Sequence, residues 1–128
     1  MGLIYTDVTI QSLHGKAGSI DSPFLVDTGA VDCLMSAERL REVGIEPESS
    51  DVYELADGRV LELPVGWARL GFMGTVAIAK VVFGPEGSEP ILGAIALETA
   101  GVTLDPLTNT LKRLTKRSLK AALATAQP

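Results

Sequence analysis

The chain has 128 residues, about the size of one ordinary domain and enough to bury a core without disulfides. Its composition, with 46% hydrophobic and 21% charged residues, favours a compact domain over a disordered or coiled-coil chain. Glycines and a lysine interrupt the most apolar stretch, residues 70–83, so no run approaches the ~20 residues that span a bilayer. We therefore expect a soluble protein with no transmembrane segment.

The charge is distributed unevenly along the chain. Sixteen acidic residues and eleven Lys and Arg give a net charge of −5, but five of the cations lie in residues 112–128, which contain no acid. Residues 1–111 therefore carry a net charge of −10 and would repel a phosphate backbone, so no nucleic acid partner is expected for them. The basic tail is interpreted as a solvated helix or a frayed end, and tethering to an anionic membrane or RNA is the alternative.

Single copies of cysteine and histidine exclude several kinds of site. Cys33 alone forms neither an intrachain disulfide nor a Cys-based zinc site, and the amino terminus does not resemble a signal peptide, so a cytoplasmic location is expected. His14 lies in a polar turn, which argues against a zinc hydrolase or a Ser/His/Asp triad. Cys33 has no basic neighbour in sequence, so a buried, inert thiol is predicted.

The first part of the chain predicts two strands and a short helix. Residues 3–10 alternate in polarity and predict the first strand. Residues 20–26 predict the second, in which Pro23 suits a sheet edge. Ser36 is expected to cap a short helix that extends through Val43, and Gly44 is expected to end that helix in a left-handed conformation.

A central hairpin is predicted next. Residues 51–56 and 59–65 are its strands, and Asp57 and Gly58 form a two-residue turn in which both residues take a positive φ.

The remaining elements complete a mostly β domain. Residues 76–83 predict a buried strand, residues 94–100 a second short helix, and residues 102–104 and 109–111 a last hairpin. Several short strands in so small a domain need their edges covered, so we expect a closed barrel with two short helices rather than an open sheet.

A carboxylate lies at the end of the second strand. Asp27 follows the apolar residues 24–26 directly and is followed by Thr28, Gly29 and Ala30. A carboxylate in this position is costly unless it is hydrogen-bonded, and Gly29 allows backbone N–H groups to point at its oxygens. The alternative is that Asp27 only caps the turn.

Asp-Thr-Gly-Ala after two apolar residues resembles the active-site signature of the retropepsin-like aspartic proteases, specifically the small single-domain members from bacteria and archaea. Ile91, Leu92 and Gly93, ahead of a short helix, resemble the second structural signature of that family. The order of predicted elements also agrees. The resemblance covers roughly residues 3–111 and implies a protease domain over residues 1–111, followed by the basic tail at residues 112–128.

The resemblance implies a closed acid-protease barrel that is active as a C2 homodimer. The chain has a single Asp-Thr-Gly, and the family's mechanism needs two carboxylates, so Asp27 of a second copy would supply the other one. The implied catalytic residues are Asp27, Thr28 and Gly29, with no metal or cofactor. The implied substrate-binding residues are Ala30, Asp32, Leu55, Ala56, Asp57 and Gly58.

The implied activity is that of an aspartic endopeptidase, which hydrolyses extended or unfolded peptides in a cleft under the hairpin. The alternative is a non-proteolytic, dimeric peptide-binding or interaction module on the same fold. Val31 and Ala94 replace an aspartate and an arginine that form a salt bridge in viral members, so their joint absence is consistent. Asp32 is interpreted either as a substrate contact or as a solvated turn residue, and Tyr53 as a packing residue.

Overall fold

The computed structural model describes residues 2–117 and residue 119, and this part of the chain is mostly β. None of its helices is long and apolar enough to cross a membrane. Its elements in chain order are β1 (Tyr5–Gln11), β2 (Ser19–Val26), β3 (Cys33–Ser36), α1 (Ala37–Glu42), β4 (Ser49–Glu54), β5 (Val60–Phe72), β6 (Thr75–Gly84), β7 (Ile91–Leu92), α2 (Ala94–Ala100), β8 (Val102–Asp105) and β9 (Thr110–Arg113).

Six strands form a ring. The main sheet has the order β1-β2-β7-β3-β6-β5-β4, and a further antiparallel pairing between β1 and β5 joins its two sides, with Ile10 opposite Leu70. β4 lies outside the ring and pairs with β5, while β8 and β9 form a separate two-stranded sheet. The ring gives most strands a partner on both sides and leaves β4 as an edge strand.

The core lies within the ring and under the two helices. Val8 and Ile10 of β1 are buried whereas Tyr5 and Thr9 are exposed, which confirms the alternation predicted for the first strand. Burying a large apolar side chain contributes about 1.5–3 kcal/mol. The largest fully buried side chains are Phe24, Ile10, Met35, Leu40, Leu70, Leu92, Val8, Val65, Val81 and Cys33.

Both helices lie where they were predicted, but one predicted cap is absent. Gly101 ends α2 with a φ of 72°, and Gly44 follows α1 with a φ of 78°, so each glycine takes the left-handed conformation that ends a helix. Ser36 precedes α1 but makes no side-chain cap hydrogen bond, so this part of the prediction was wrong. Ser36 also belongs to β3, where it pairs with Gly84 of β6.

The predicted two-residue turn of the central hairpin was wrong. Leu55 donates its N–H to the carbonyl of Arg59 (2.8 Å), and this pair closes a loop of three residues, 56–58. Of these three, only Gly58 has a positive φ. Asp57 accepts the N–H of Arg59 (3.0 Å) through its own side chain. This local hydrogen bond and the left-handed glycine are typical of a three-residue hairpin loop with a bulge.

The last strand extends past residue 111. Val102 pairs with Arg113 and Thr103 with Lys112, and Leu114 donates its N–H to the carbonyl of Gly101 (2.8 Å). Two basic residues at the start of the tail therefore belong to β9. Residues 118 and 120–128, most of the rest of the tail, lie outside the described residues.

We predict that cutting the chain after Leu111 destabilises it by about 1–3 kcal/mol relative to a chain cut after Leu114, because the backbone hydrogen bonds of residues 112–114 are lost. Urea unfolding of the two truncated chains measures the difference. Equal free energies of unfolding would contradict the role given to these residues.

Candidate functional site

The Asp27 turn lies directly after β2. The N–H of Ala30 donates to the carbonyl of Asp27 (3.1 Å), and the N–H of Gly29 donates to Oδ1 of its carboxylate (2.9 Å). Asp27 is half-buried, and Thr28 and Gly29 are exposed. The turn thus holds one oxygen of the carboxylate in place through the backbone N–H of Gly29, as predicted, and it leaves the group half-buried.

The short strand β7 fixes the start of this turn. Leu25 and Val26 pair in parallel with Ile91 and Leu92, and the N–H of Asp27 donates to the carbonyl of Leu92 (3.0 Å). β7 also pairs with β3 on its other side. The two residues of β7 therefore set the distance between the strand before the Asp27 turn and the strand after it.

Gly93 allows the segment after β7 to contact the loop after the Asp27 turn directly. A Cβ atom on Gly93 would lie 2.5 Å from the carbonyl oxygen of Asp32 and 3.0 Å from that of Ala30, so only glycine fits without a shift of the backbone. The N–H of Ala94 donates to the carbonyl of Ala30 (2.8 Å). The structure thus places residues 27–30 and residues 91–93, which carry the resemblance, against each other.

Cys33 lies beneath this contact. It is buried, and its Sγ accepts a long hydrogen bond from the N–H of Gly93 (3.5 Å). Burial raises the pKa of the thiol to about 11, because an apolar environment disfavours the thiolate. At neutral pH the group is therefore a protonated thiol and not a nucleophile, which agrees with the inert role predicted for it.

A cavity of about 590 Å³ lies beside the Asp27 turn. Of the predicted substrate-binding residues, Ala30, Asp32 and Leu55 line it, whereas Ala56, Asp57 and Gly58 are at the exposed hairpin tip and do not. Asp27 is not part of the lining. The walls are mainly apolar and comprise Gly29, Ala30, Val31, Asp32, Leu34, Asp51, Val52, Tyr53, Glu54, Leu55, Leu63, Val82 and Ile91.

Tyr53 joins the hairpin to the loop after the Asp27 turn. Its hydroxyl donates to Oδ2 of Asp32 (2.8 Å), so Asp32 is neither free nor simply solvated. Burial, together with this hydrogen bond, raises the pKa of Tyr53 far above its ordinary value. The sequence alone assigned Tyr53 to packing, although strand alternation places it on the same face of β4 as Asp51.

An ion pair anchors the base of the hairpin. Lys80 of β6 bonds to the Asp51 carboxylate of β4, and this hydrogen bond is the main cause that raises the pKa of Lys80. Nζ of Lys80 also lies 5.8 Å from the centre of the Trp67 ring. Because both partners are partly exposed, solvent screens the pair and keeps its contribution to stability small.

One chain supplies one carboxylate at the Asp27 turn, which is a group able to accept a proton from water. Within residues 2–117 and 119, no three His, Cys, Asp or Glu side chains come together as a metal site.

We predict that Gly93→Ala destabilises the chain by about 2–3 kcal/mol, because the new methyl group overlaps the Asp32 carbonyl. Gly71→Ala is the matched control, since a Cβ there would be 3.8 Å or more from its neighbours. Its cost should stay near 1 kcal/mol or below. Chemical unfolding compares the two variants, and equal losses of stability would contradict the close packing at Gly93.

A scan against protein-family models and a search of curated proteins each found no match to this chain.

Proposed function

We propose that the chain is a retropepsin-like aspartic endopeptidase, a closed barrel that acts as a C2 homodimer in the cytoplasm. The main support is the packing of residues 27–30 against residues 91–93 at one place in the six-stranded ring. A half-buried carboxylate, an adjoining cavity and a hairpin beside that cavity occur together there. These are the parts that the sequence resemblance implies for a protease of this kind.

The reaction needs a second carboxylate, which the same turn of another copy would supply. A two-fold axis beside the turn would bring the two Asp27 side chains together. Carboxylates so close do not both ionise readily, so one keeps a proton. The ionised Asp27 takes a proton from a water molecule while the water oxygen attacks the carbonyl carbon of the peptide. The protonated Asp27 of the other copy donates a hydrogen bond to the carbonyl oxygen. The C–N bond then breaks as the Asp27 that took the proton from water gives it to the leaving amine, which leaves the pair of carboxyl groups with one proton as before.

The surface around the turn supports contact with a second copy. Thr28 and Gly29 are exposed, so the hydroxyl of Thr28 is available to bond to the facing loop. Val31 is 60% exposed and Ile95 46% exposed, and their backbones are joined by a hydrogen bond of 3.2 Å. An exposed apolar pair next to the catalytic turn provides area for a dimer to bury.

The substrate we propose is an extended or unfolded peptide. The cavity is apolar along most of its wall and lies between the Asp27 turn and β4, so a peptide side chain entering it brings the backbone close to the turn. Ala30, Asp32 and Leu55 would contact such a peptide directly. Ala56, Asp57 and Gly58 would contact it only if the hairpin tip moved inward.

A non-proteolytic, dimeric peptide-binding module is the second candidate. The observation that favours it is that the cavity lining includes Gly29 and Ala30 but not Asp27. A peptide held in this cavity does not have to reach the carboxylate. Binding would then survive in an Asp27 variant, and no variant or wild-type chain would release cleaved products.

We predict that Asp27→Asn lowers hydrolysis of unfolded casein by at least about 100-fold, because an amide cannot act as the general base. Release of peptides at pH values between about 3 and 7 measures the activity. Asp21→Asn is the control, since Asp21 is an exposed carboxylate that accepts a bond from Thr9 on another part of the ring. Equal activity of wild type and Asp27→Asn would overturn the proposed mechanism.

We also predict that the dimer weakens as the pH rises from about 4 to about 8. The paired carboxylates hold more protons than two separate chains, so removing protons favours separation. Asp27→Asn removes the paired charge and should dimerise more tightly at neutral pH, with a flatter pH response. Sedimentation velocity compares the two proteins, and identical profiles would show that Asp27 does not face its symmetry mate.

A further inference from the structure

The β4–β5 hairpin extends beyond the ring of strands. β5 pairs with β6 only from Val65 onward, where Val65 lies opposite Val82. Among the residues that the structure describes, residues 60–64 pair with β4 alone, and β4 has no other strand partner. A two-stranded ribbon is marginally stable by itself, so the position of this one depends on side-chain contacts with the rest of the chain.

One such contact stands out along the extended part of the ribbon. In the described part of the chain, the bond from Tyr53 to Asp32 (2.8 Å) is the one hydrogen bond that joins residues 52–63 to any other element. The ion pair of Asp51 with Lys80 lies at the base, where β5 already pairs with β6. Tyr53 therefore supplies the hydrogen bond that holds the ribbon against the loop after the Asp27 turn.

The two partners differ in how firmly they are held. Asp32 belongs to the loop whose carbonyl contacts Gly93, so its backbone is fixed by the frame of the ring. Tyr53 lies on an edge strand and moves with the ribbon. Both side chains line the 590 Å³ cavity, so their bond joins two of its walls. The raised pKa of Tyr53 keeps its hydroxyl protonated and therefore a donor.

We propose that the hydrogen bond from Tyr53 to Asp32 is a latch that holds the hairpin closed over the cavity and that an entering peptide must break. Backbone N–H groups of the peptide are donors of the same kind as the phenol, and they replace it on the Asp32 carboxylate. The inference rests on the proposed function for its ligand, whereas the closed state of the hairpin is tested without any ligand.

Hydrogen–deuterium exchange of the full chain tests the latch. The bond stabilises the closed position of the hairpin, so its loss should increase the population of the open state. Exchange rates of the amides in residues 52–61 should then rise about tenfold or more. Tyr53→Phe and Asp32→Ala should each produce this increase, and the double variant should add nothing, because all three lack the same bond. Amides of the ring strands should keep their wild-type exchange rates.

Tyr5→Phe is the matched control for this experiment. Tyr5 also donates to a carboxylate, that of Glu89 (3.1 Å), but on β1 and away from the hairpin. Removing its hydroxyl should leave exchange in residues 52–61 unchanged. Equal hairpin exchange in wild type and Tyr53→Phe would overturn the latch, and so would additive increases in the double variant.

Binding provides the second measurement. In an Asp27→Asn background, which prevents hydrolysis, Tyr53→Phe should bind fluorescein-labelled casein several-fold more tightly, because more of the protein is open before binding. Fluorescence anisotropy measures the affinity, and Tyr5→Phe should not change it. Weaker binding by Tyr53→Phe would overturn the latch. Failure of every variant to bind casein, with hairpin exchange raised as predicted, would overturn the proposed function and leave the closed hairpin established.

Discussion

The arrangement of the candidate site depends on one close backbone contact, in which Gly93 packs against the carbonyl of Asp32. There is no room for a side chain between them, so β7 lies close enough to pair with β2 on one side and β3 on the other. A strand of only two residues thereby sets both ends of the Asp27 turn. The carboxylate takes its position from this packing more than from contacts of its own.

The strand pairing divides the molecule into a ring of well-connected strands and a β4–β5 hairpin with fewer contacts. Ring strands have partners on both sides along much of their length, whereas β4 and the adjoining end of β5 pair only with each other within residues 2–117. Elements with few contacts open at lower free energy than the strands of a core. The cavity lies between the two parts, so its volume depends on the position of the hairpin rather than on deformation of the ring.

Sequence reasoning predicted the regular elements well because their patterns are local. The alternation in β1 and the glycine after α2 each fix an element without knowledge of the rest of the fold. β3 was missed, since a segment of four residues with three apolar ones does not distinguish a strand from a helix. The loop at Asp57 and Gly58 was assigned the wrong length, because the side-chain hydrogen bond of Asp57 to Arg59 favours a different turn.

The candidate site was predictable only in part. The residues around Asp27 and those around Gly93, which carry the sequence resemblance, lie against each other. The sequence did not predict the bond between Tyr53 and Asp32, because it joins a strand to a loop 21 positions away in the chain. Periodicity indicates which face of β4 carries Tyr53, but it does not indicate what lies opposite that face.

Cys33, the single cysteine of the chain, lies in a position that makes it useful as a reporter. Its thiol is covered by Gly93 and its pKa of about 11 keeps the reactive thiolate scarce. A thiol reagent will therefore modify the native protein only when the segment carrying Gly93 moves away from the loop that it covers. The labelling rate of Cys33 consequently measures how often the segment carrying Gly93 separates from the loop after the Asp27 turn. No reporter group has to be engineered into the protein first.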